Sequence, residues 1–320
     1  MLSRVAENVF WMSRYVERAE NLSRLLDVGF DLELDASGLL SEDGRGPLER
    51  ILTILGCRER YEKEFPENTP ESLLRFLTFD RSIPYSVLGM IASARENARG
   101  TQDAVSAEAW SQLNRLYLYL SGPRAIRRFG SSPTGFFSSV RRACILWDGL
   151  VDATLPRNEV FHFLQIGRYL ERVDQISRIV QARANTLIET DSNTPAAPRM
   201  NPVHWTALLR SCSAYEAFLS TKSDRVDPEG VVRYLVLDPD FPRAMRFSVS
   251  RCRESIQEIT EGDGDGYGSE AERLLGRLDG ELRYIDVKEI FHRGLPQFLT
   301  SVQETCDRVG DEIHKAYFAT

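Results

Sequence analysis

The stretch "MSRYVERAENLSRLL", residues 12–26, decides the fold because it returns later as "IGRYLERVDQISRIV", residues 166–180. Both copies carry Arg-Tyr-x-Glu-Arg, followed at the same spacings by an acid, an amide and a second arginine. Two further segments repeat in the same order, "RFLTFDRSIPYSVLGMIASARENA" from Arg75 and "RYLVLDPDFPRAMRFSVSRCRESI" from Arg233. A repeat of about half the chain is typical of gene duplication. The sequence therefore predicts two similar units.

Helix-start patterns indicate that both units are helical. Proline is tolerated at the first helical position, where the backbone N–H has no partner, and a polar residue before it caps other donors. Each half has three such starts with a counterpart in the other half: Gly46-Pro47 with Asn201-Pro202, Thr69-Pro70 with Asp227-Pro228, and Ile83-Pro84 with Phe241-Pro242. Apolar residues between the starts recur at helical spacing. We predict an all-α fold of two similar helical bundles from an internal duplication, residues 1–154 and 155–320, packed as one pseudo-symmetric unit.

The same patterns predict about six helices in each half, joined by loops rich in Gly, Pro, Ser and Asp. The loops are predicted near residues 34–46, 64–69, 121–134, 190–201, 220–228 and 261–269. The segment "EGDGDGYGSE", residues 261–270, is the most strongly indicated flexible loop, because repeated glycines and acids neither pack nor favour helix.

Composition argues against several classes of protein. The 320 residues carry 40 Lys and Arg against 47 Asp and Glu, a formal charge of −7, which disfavours nucleic acid or an acidic membrane as the main partner. No apolar run approaches the ~18–20 residues that cross a bilayer, and the N-terminus lacks the pattern of a secretory signal. Five widely spaced cysteines are typical of reduced thiols in a cytosolic core. We expect a soluble, cytoplasmic protein that binds neither nucleic acid nor membrane.

Three motifs occur in order, "LSRVAENVFWMSRYVERAENLSRLL", "FDRSIP…ARENAR" and "GRYLERVDQISRI", and through them the chain resembles the bacterial Alpha-E family over essentially its whole length. The resemblance implies an all-helical protein whose gene commonly neighbours, or is fused to, a circularly permuted ATP-grasp ligase and a transglutaminase-like peptidase. It implies partnership with these enzymes in a system that makes, modifies or trims a peptide or amide-linked metabolite. The family's Glu-Arg motif falls on Glu17-Arg18 and Glu171-Arg172. Arg95-Glu96-Asn97 completes it in the first half, whereas the second half has Arg253-Glu254-Ser255.

The candidate site is a group of charged and amide side chains around these motifs. Arg14, Glu17 and Arg18 stand at i, i+3 and i+4, so one carboxylate can be held by guanidinium groups of its own helix. That face of the helix also carries apolar residues, so we expect it to be covered and some of its charges to be partly buried. We further expect Arg95 or Arg99 near Glu17, and likewise Arg253 near Glu171. The complete candidate set is Arg14, Glu17, Arg18, Asn21, Arg95, Glu96, Asn97, Arg99, Arg168, Glu171, Arg172, Arg253 and Glu254.

Three interpretations of this set stay open. It is a buried structural ion network, in which removing one member costs ~3–5 kcal/mol without any chemistry being involved. Alternatively, its arginines bind the carboxylate or phosphate of an amino acid, peptide or acyl phosphate, since the planar guanidinium suits both groups. In the third interpretation, Glu17 or Glu171 acts as a general base.

Other chemistry is not indicated by the sequence. The four histidines lack HExxH spacing, the cysteines lack CxxC spacing, and no GxxxxGK[ST] phosphate loop is present, so we predict neither a metal nor a cofactor. "GSSPTG" at 130–135 lacks the lysine of such a loop. Arg124, Arg127 and Arg128 before it are interpreted as a solvated helix end, with a docking surface as the alternative. We expect a binding or scaffold component that presents an amino-acid or peptide substrate to a ligase; the alternative is an enzyme acting on such a substrate through Glu17 or Glu171.

Overall fold

The computed structural model describes residues 2–35, 46–65, 67–191, 202–221, 226–260 and 267–319. Within these ranges the chain forms helices and no strand, so the predicted all-α class is confirmed. None of these helices is both long and apolar enough to cross a bilayer. The predicted flexible loop at 261–270 lies mostly outside the described residues, as do parts of the predicted loops at 34–46, 190–201 and 220–228.

Eight α-helices lie in the described part of residues 1–154. They are α1 (Ser3–Asp35), α2 (Pro47–Ile54), α3 (Arg58–Glu64), α4 (Pro70–Phe79), α5 (Val87–Arg99), α6 (Ala107–Leu120), α7 (Pro123–Ser131) and α8 (Pro133–Thr154). A short 3₁₀ turn, Gln102–Ala104, lies between α5 and α6. Helix α6 packs against α5 and α8, and α7 packs against α8 and α6.

Eight further α-helices lie in the described part of residues 155–320. They are α9 (Glu159–Asp191), α10 (Pro202–Ser211), α11 (Tyr215–Ser220), α12 (Pro228–Val232), α13 (Met245–Ile259), α14 (Glu270–Tyr284), α15 (Val287–Arg293) and α16 (Leu295–Ile313). Two π-helical turns, Arg233–Leu237 and His314–Phe318, follow α12 and α16. Helices α13 and α16 pack against α9, and α14 packs against both of them.

The chain divides into two compact units. One consists of Met1–Phe10 and Arg157–Thr320, and the other of Trp11–Pro156. In the first unit, the ring of Phe10 lies 5.5 Å from that of Phe318. In the second, aromatic rings from α4, α7 and α8 form a cluster in the core: Phe79, Phe129, Phe136 and Phe137. Burial of such rings provides much of the free energy that holds short helices in place.

Four of the six predicted proline helix starts are confirmed. Helices begin at Pro47, Pro70, Pro202 and Pro228. The chemistry is clearest at α4, where the hydroxyl of Thr69 accepts a hydrogen bond from the backbone N–H of the third helical residue and completes a reciprocal capping box.

The predicted starts at Pro84 and Pro242 are wrong, because α5 begins at Val87 and α13 at Met245. Ile83 and Phe241 before these prolines have no side-chain acceptor for a helix cap. The cap of α5 is Ser86 instead, whose hydroxyl accepts a hydrogen bond from the backbone N–H of residue 89 at 2.9 Å.

The two prolines lie in turns stabilised by a preceding aspartate. Asp80 accepts a hydrogen bond from the backbone N–H of Ser82 at 2.8 Å, and Asp238 accepts one from Asp240 at 2.9 Å. Aspartate favours such turns because its side chain can bond to the backbone two residues on. The repeated Asp-x-x-x-Pro pattern is therefore a turn that precedes a helix.

The predicted loop at 121–134 is also wrong, because α7 occupies most of it. The predicted number of about six helices in each half is too low, since the described residues form eight in each half. Gly122-Pro123 and Ser132-Pro133 are two further helix starts of the kind recognised elsewhere. Ser132 caps α8 by accepting a hydrogen bond from the backbone N–H of Gly135 at 3.2 Å. Helix α7 escapes detection because it buries only Ala125 and Phe129, too few apolar residues for a periodic pattern.

Candidate functional site

The first Glu-Arg motif lies in the middle of α1, and its carboxylate is buried. Glu17 is 2% exposed, and Asn21, one turn further along, is buried beside it. The side-chain amide of Asn21 donates a hydrogen bond to Oε1 of Glu17 at 3.3 Å. Arg14 and Arg18 are half-buried, and the guanidinium of Arg14 lies 5.0 Å from the ring centre of Trp11. The predicted burial of this polar face is confirmed.

The second motif reproduces this arrangement on α9. Glu171 is 0% exposed, and the side-chain amide of Gln175 donates to its Oε1 at 3.0 Å. Arg172 is also buried and donates from Nη1 to the backbone carbonyl of Pro242 at 3.0 Å. The guanidinium of Arg168 lies 5.5 Å from the ring centre of Tyr169. Each motif thus places a buried carboxylate under an amide of its own helix.

Two ion pairs one turn on from these motifs are absent from the predicted set. Arg24 pairs with the buried carboxylate of Glu20 on α1. Arg178 donates from Nε to both oxygens of the buried Asp174 on α9, at 3.0 and 2.9 Å. The acid that follows each Glu-Arg motif at the same spacing, together with the arginine four residues after it, could have identified these pairs.

Helix α8 contributes a charge and a thiol near the first motif. Arg141 donates from Nη1 to Oδ2 of Asp27 on α1 at 2.6 Å. Cys144 is fully buried, and its burial, followed by the charges of Asp148 and Glu17, raises the pKa of its thiol. A thiol with a raised pKa is a poor nucleophile. The surroundings of Cys144 therefore do not resemble an activated cysteine site.

Arg95 is held by the neighbouring helix α6. Its Nε donates to Oδ1 of Asn114 at 2.7 Å, and its guanidinium lies 4.6 Å from the ring centre of Tyr117. Its ion pair goes to the adjacent Glu96, at 2.9 Å. The ion pair with Glu17 expected from the sequence does not form among the described residues, because Arg95 is directed towards α6.

The remaining residues of this segment lie at the surface. Arg99 pairs with Glu96 at 2.6 Å, and at least half of each side chain is exposed. The expected contact between Arg99 and Glu17 is therefore not formed among the described residues. The backbone carbonyl of Asn97 accepts a hydrogen bond from the hydroxyl of Thr101 at 2.9 Å, close to the end of α5. These contacts organise the helix end.

Arg253 has a carboxylate partner on α14. Its Nε lies 3.4 Å from Oδ2 of Asp279, and Nε of Arg283 lies 3.1 Å from the same oxygen. Glu254 pairs with Arg251 at the surface, at 2.7 Å. Within the described residues, Arg253 therefore binds Asp279, and the expected ion pair with Glu171 is not formed.

The described contacts of the candidate residues run mostly within one helix or to a neighbouring helix. The structure brings Glu17 together with Asn21, and Glu171 together with Gln175, whereas Arg95 and Arg253 bind partners on other helices. Three described cavities, of about 550, 680 and 550 Å³, are lined by other residues. In the part of the chain that the structure describes, His, Cys, Asp and Glu form no group of three or more that could hold a metal ion.

Residues 1–318 match the model of the Alpha-E family, described as a predicted alpha-helical domain with a conserved ER motif. An uncharacterized protein of Mycobacterium bovis and two from strains of Mycobacterium tuberculosis are each 21% identical over 301 residues, which are 90% of this chain and 33% of theirs. The chain thus spans about a third of the length of the curated relatives it matches. No solved structure matches it.

Proposed function

Because this chain belongs to the Alpha-E family, we propose that it is a helical binding and scaffold component of an ATP-grasp-linked system that makes or modifies a peptide or amide-linked metabolite. Its partners are a circularly permuted ATP-grasp ligase and a transglutaminase-like peptidase, as the family resemblance implies. One observation carries the proposal: the matched region makes up only 33% of each curated relative. A helical region that recurs inside much longer chains is expected of a module that works beside other domains.

The buried motifs support a module over an enzyme that uses these glutamates. A general base must lie within hydrogen-bond reach of the proton that it removes. Glu17 is 2% exposed, Glu171 is 0% exposed, and each accepts a hydrogen bond from an amide of its own helix. Both carboxylates therefore stabilise the fold in this proposal. Binding of a carboxylate or phosphate by the candidate set rests on the arginines that solvent reaches, which are Arg14, Arg18, Arg95, Arg99, Arg168 and Arg253.

We also propose that residues 1–154 and 155–320 derive from an internal duplication. The two ranges contain eight helices each in the described residues, and the same separation divides Pro70 from Pro228 and Val87 from Met245. The amide–carboxylate pair of α1 recurs on α9. An experimental structure in which the two ranges superpose helix by helix would support this origin, and a different helix order would contradict it.

The partnership is tested by co-purification with a circularly permuted ATP-grasp ligase of the kind that the family resemblance implies, followed by an assay of ATP consumption with and without this chain. We expect a stable complex, a ligase whose turnover depends on the chain, and no turnover by the chain alone. Absence of a complex together with an unchanged ligase would contradict the proposal. Turnover of an amino-acid or peptide substrate by the chain alone would favour the enzyme.

The role of the motif is tested by replacing both charges at once. Glu17→Met with Arg18→Leu is expected to leave ligase stimulation and melting temperature near wild type, since the main cost in a buried pair comes from stranding one charge. The matched exchange, Glu171→Met with Arg172→Leu, serves as the comparison. Loss of stimulation at an unchanged melting temperature, repeated by Arg18→Lys, would show that the arginine binds an anion instead, because lysine lacks the two-pronged geometry.

A further inference from the structure

A cavity of about 550 Å³ lies where α6, α7 and α8 meet, and arginines dominate its polar lining. The lining side chains come in pairs one helical turn apart, so each pair shares a helix face. The pairs are Arg115 and Tyr119 on α6, Arg124 and Arg128 on α7, and Ser139 and Ala143 on α8. We call this cavity and its lining the arginine corner.

Helix α7 is held so that its arginines face the cavity. Its apolar face consists of Ala125 and Phe129, and the ring of Phe129 packs edge-on against Phe136 at 5.6 Å. At 100° per residue, Arg124 and Arg128 flank this buried face on one side, whereas Arg127 lies opposite to it. The packing of α7 therefore directs two of its three arginines towards the cavity.

The exposed side chain of Arg128 lies against α8. A Cβ added at Gly135 on α8 would lie 2.6 Å from Nη2 of Arg128, so glycine allows the guanidinium to lie directly against α8. Burial raises the pKa of Tyr119, and the positive charge of Arg128, which lines the same cavity, acts in the opposite direction. Guanidinium, phenol and hydroxyl groups thus meet around one space.

The charges of the arginine corner are not balanced by the protein. None of the lining residues in the described part of the chain carries a carboxylate, and Arg115, Arg124 and Arg128 form no ion pair there. Three like charges around one cavity repel each other, and a bound anion would relieve that repulsion. Guanidinium groups also suit the planar geometry of carboxylate and phosphate.

The other two described cavities differ in this respect. One contains Arg60, which pairs with Glu64 at 3.1 Å, and both residues line it. The other contains Arg283, which pairs with Asp279 at 3.1 Å, and it is also lined by Asp238 and Asp286. Their arginines stand beside carboxylates, so an anionic ligand would have to compete with them.

We propose that the arginine corner is a binding site for a small molecule that carries a carboxylate or phosphate group, held by Arg115, Arg124 and Arg128. The hydroxyls of Tyr119 and Ser139 supply further hydrogen bonds, and Ala143 and Leu116 give the cavity an apolar side. The site shares no residue with the Glu-Arg motifs and needs no partner protein, so it stands or falls independently of the proposed ligase partnership.

The experiment is calorimetric titration of the full chain at low salt with two probes, inorganic phosphate and N-acetyl-alanylalanine. The C-terminal amide of the second probe is its uncharged control. We expect saturable binding of at least one anion at a single site. The probe that binds shows whether the natural ligand carries a phosphate or a carboxylate group. Arg124→Gln and Arg128→Gln should each weaken binding on the order of tenfold, as expected for hydrogen bonds to a charged group.

Arg127→Gln is the matched control, because it removes the same charge from the same helix at a residue that does not line the cavity. It should change the affinity by less than about twofold, since exposed charges at a distance are screened by salt. The proposal is wrong if neither anion binds, if the amide binds as tightly as the acid, or if Arg127→Gln weakens binding as much as Arg124→Gln. Circular dichroism of each variant shows that the fold is retained.

Discussion

The arginine corner and the region of α14, α15 and α16 each consist of three consecutive helices, but their arginines have different partners. In the second region, here the paired corner, Arg283 pairs with Asp279 at 3.1 Å, and Arg293 pairs with Glu281 at 3.2 Å and with Glu289. The arginines that line the first region have no such carboxylates among the described residues. Three consecutive helices thus carry ion-paired arginines in one unit, and three consecutive helices carry arginines without a carboxylate partner among the described residues in the other.

The helices packed beside these corners hold a matching arginine in different ways. Arg95 and Arg253 occupy the same place along α5 and α13. Arg95 stacks 4.6 Å from the ring centre of Tyr117, whereas Arg253 lies 3.4 Å from the carboxylate of Asp279. An aromatic face attracts a guanidinium without cancelling its charge, but a carboxylate cancels it. Arg95 also pairs with the adjacent Glu96, at 2.9 Å, so these two helices differ in how the arginine is held and not in whether its charge is balanced.

The largest expected effect comes from the packing that holds α7 in the arginine corner. Phe129→Ala removes a buried ring and should lower the free energy of unfolding by about 3–5 kcal/mol. In the paired corner, Phe291→Ala on α15 is the control; its side chain is 37% exposed, so the loss should be about 1 kcal/mol. Urea denaturation of both variants measures the difference. Equal losses would mean that α7 is not held by its aromatic cluster.

A smaller loss is expected when the paired corner loses its central carboxylate. Asp279 is 2% exposed, so Asp279→Ala leaves Arg253 and Arg283 without their shared partner. Both arginines are about a third or more exposed, and solvent compensates in part, so the loss should be about 2–3 kcal/mol, below the cost of breaking a fully buried pair.

Glu281→Ala is the control for that variant. Glu281 is 42% exposed, and surface ion pairs contribute about 0–1 kcal/mol. Denaturation curves of the two variants, recorded at the same pH and salt concentration, should differ clearly. If they coincide, the paired corner is not held together by Asp279.

A single substitution can give the arginine corner a carboxylate like those of the paired corner. Tyr119→Glu places a carboxylate beside Arg128, where the paired corner has Glu281 next to Arg293. The new carboxylate neutralises an arginine and repels an anion, so the affinity for the bound probe should fall on the order of tenfold. Tyr119→Phe removes only the hydroxyl and should cost less. Unchanged affinity in the glutamate variant would show that the anion does not bind in the arginine corner.

The smallest expected effect concerns the start of α8. Ser132→Ala removes the side-chain cap that accepts from the backbone N–H of Gly135, and should cost about 1 kcal/mol. Ser131→Ala is the control, because that exposed hydroxyl only donates to the carbonyl of Arg128 and its loss should cost under about 0.5 kcal/mol. In the paired corner α16 begins at Leu295, and its N-cap residue, Gly294, has no side chain that could cap the helix. Thermal melts that rank the two serines the other way would contradict this account of α8.

Local sequence patterns predict the parts of the fold that depend on neighbouring residues. Proline with a capping residue before it locates the starts of α2, α4, α10 and α12, because both effects act within one helical turn. Spacing along one helix likewise places Asn21 over Glu17 and Gln175 over Glu171. Helix α7 is missed because its single buried ring owes its stability to partners on other helices.

Contacts between helices are what a single sequence cannot supply. Arg95 was expected to approach Glu17, yet its partners Asn114 and Tyr117 lie on α6, and the register of α6 against α5 depends on packing. The arginine corner shows the same limit. Arg124, Arg127 and Arg128 stand out in the sequence, but only the packing of α6 brings Arg115 to two of them and leaves Arg127 outside.

The central claim is that the arginine corner binds anions and the paired corner does not, and nuclear magnetic resonance tests both in one sample. The side-chain N–H signals of the arginines are followed while the chain is titrated in turn with inorganic phosphate and N-acetyl-alanylalanine. With at least one of these anions, the signals of Arg124 and Arg128 should shift along one saturating curve, while those of Arg283 and Arg293 stay in place. Equal shifts in both corners, or no shift of Arg124 and Arg128 with either anion, would contradict the account.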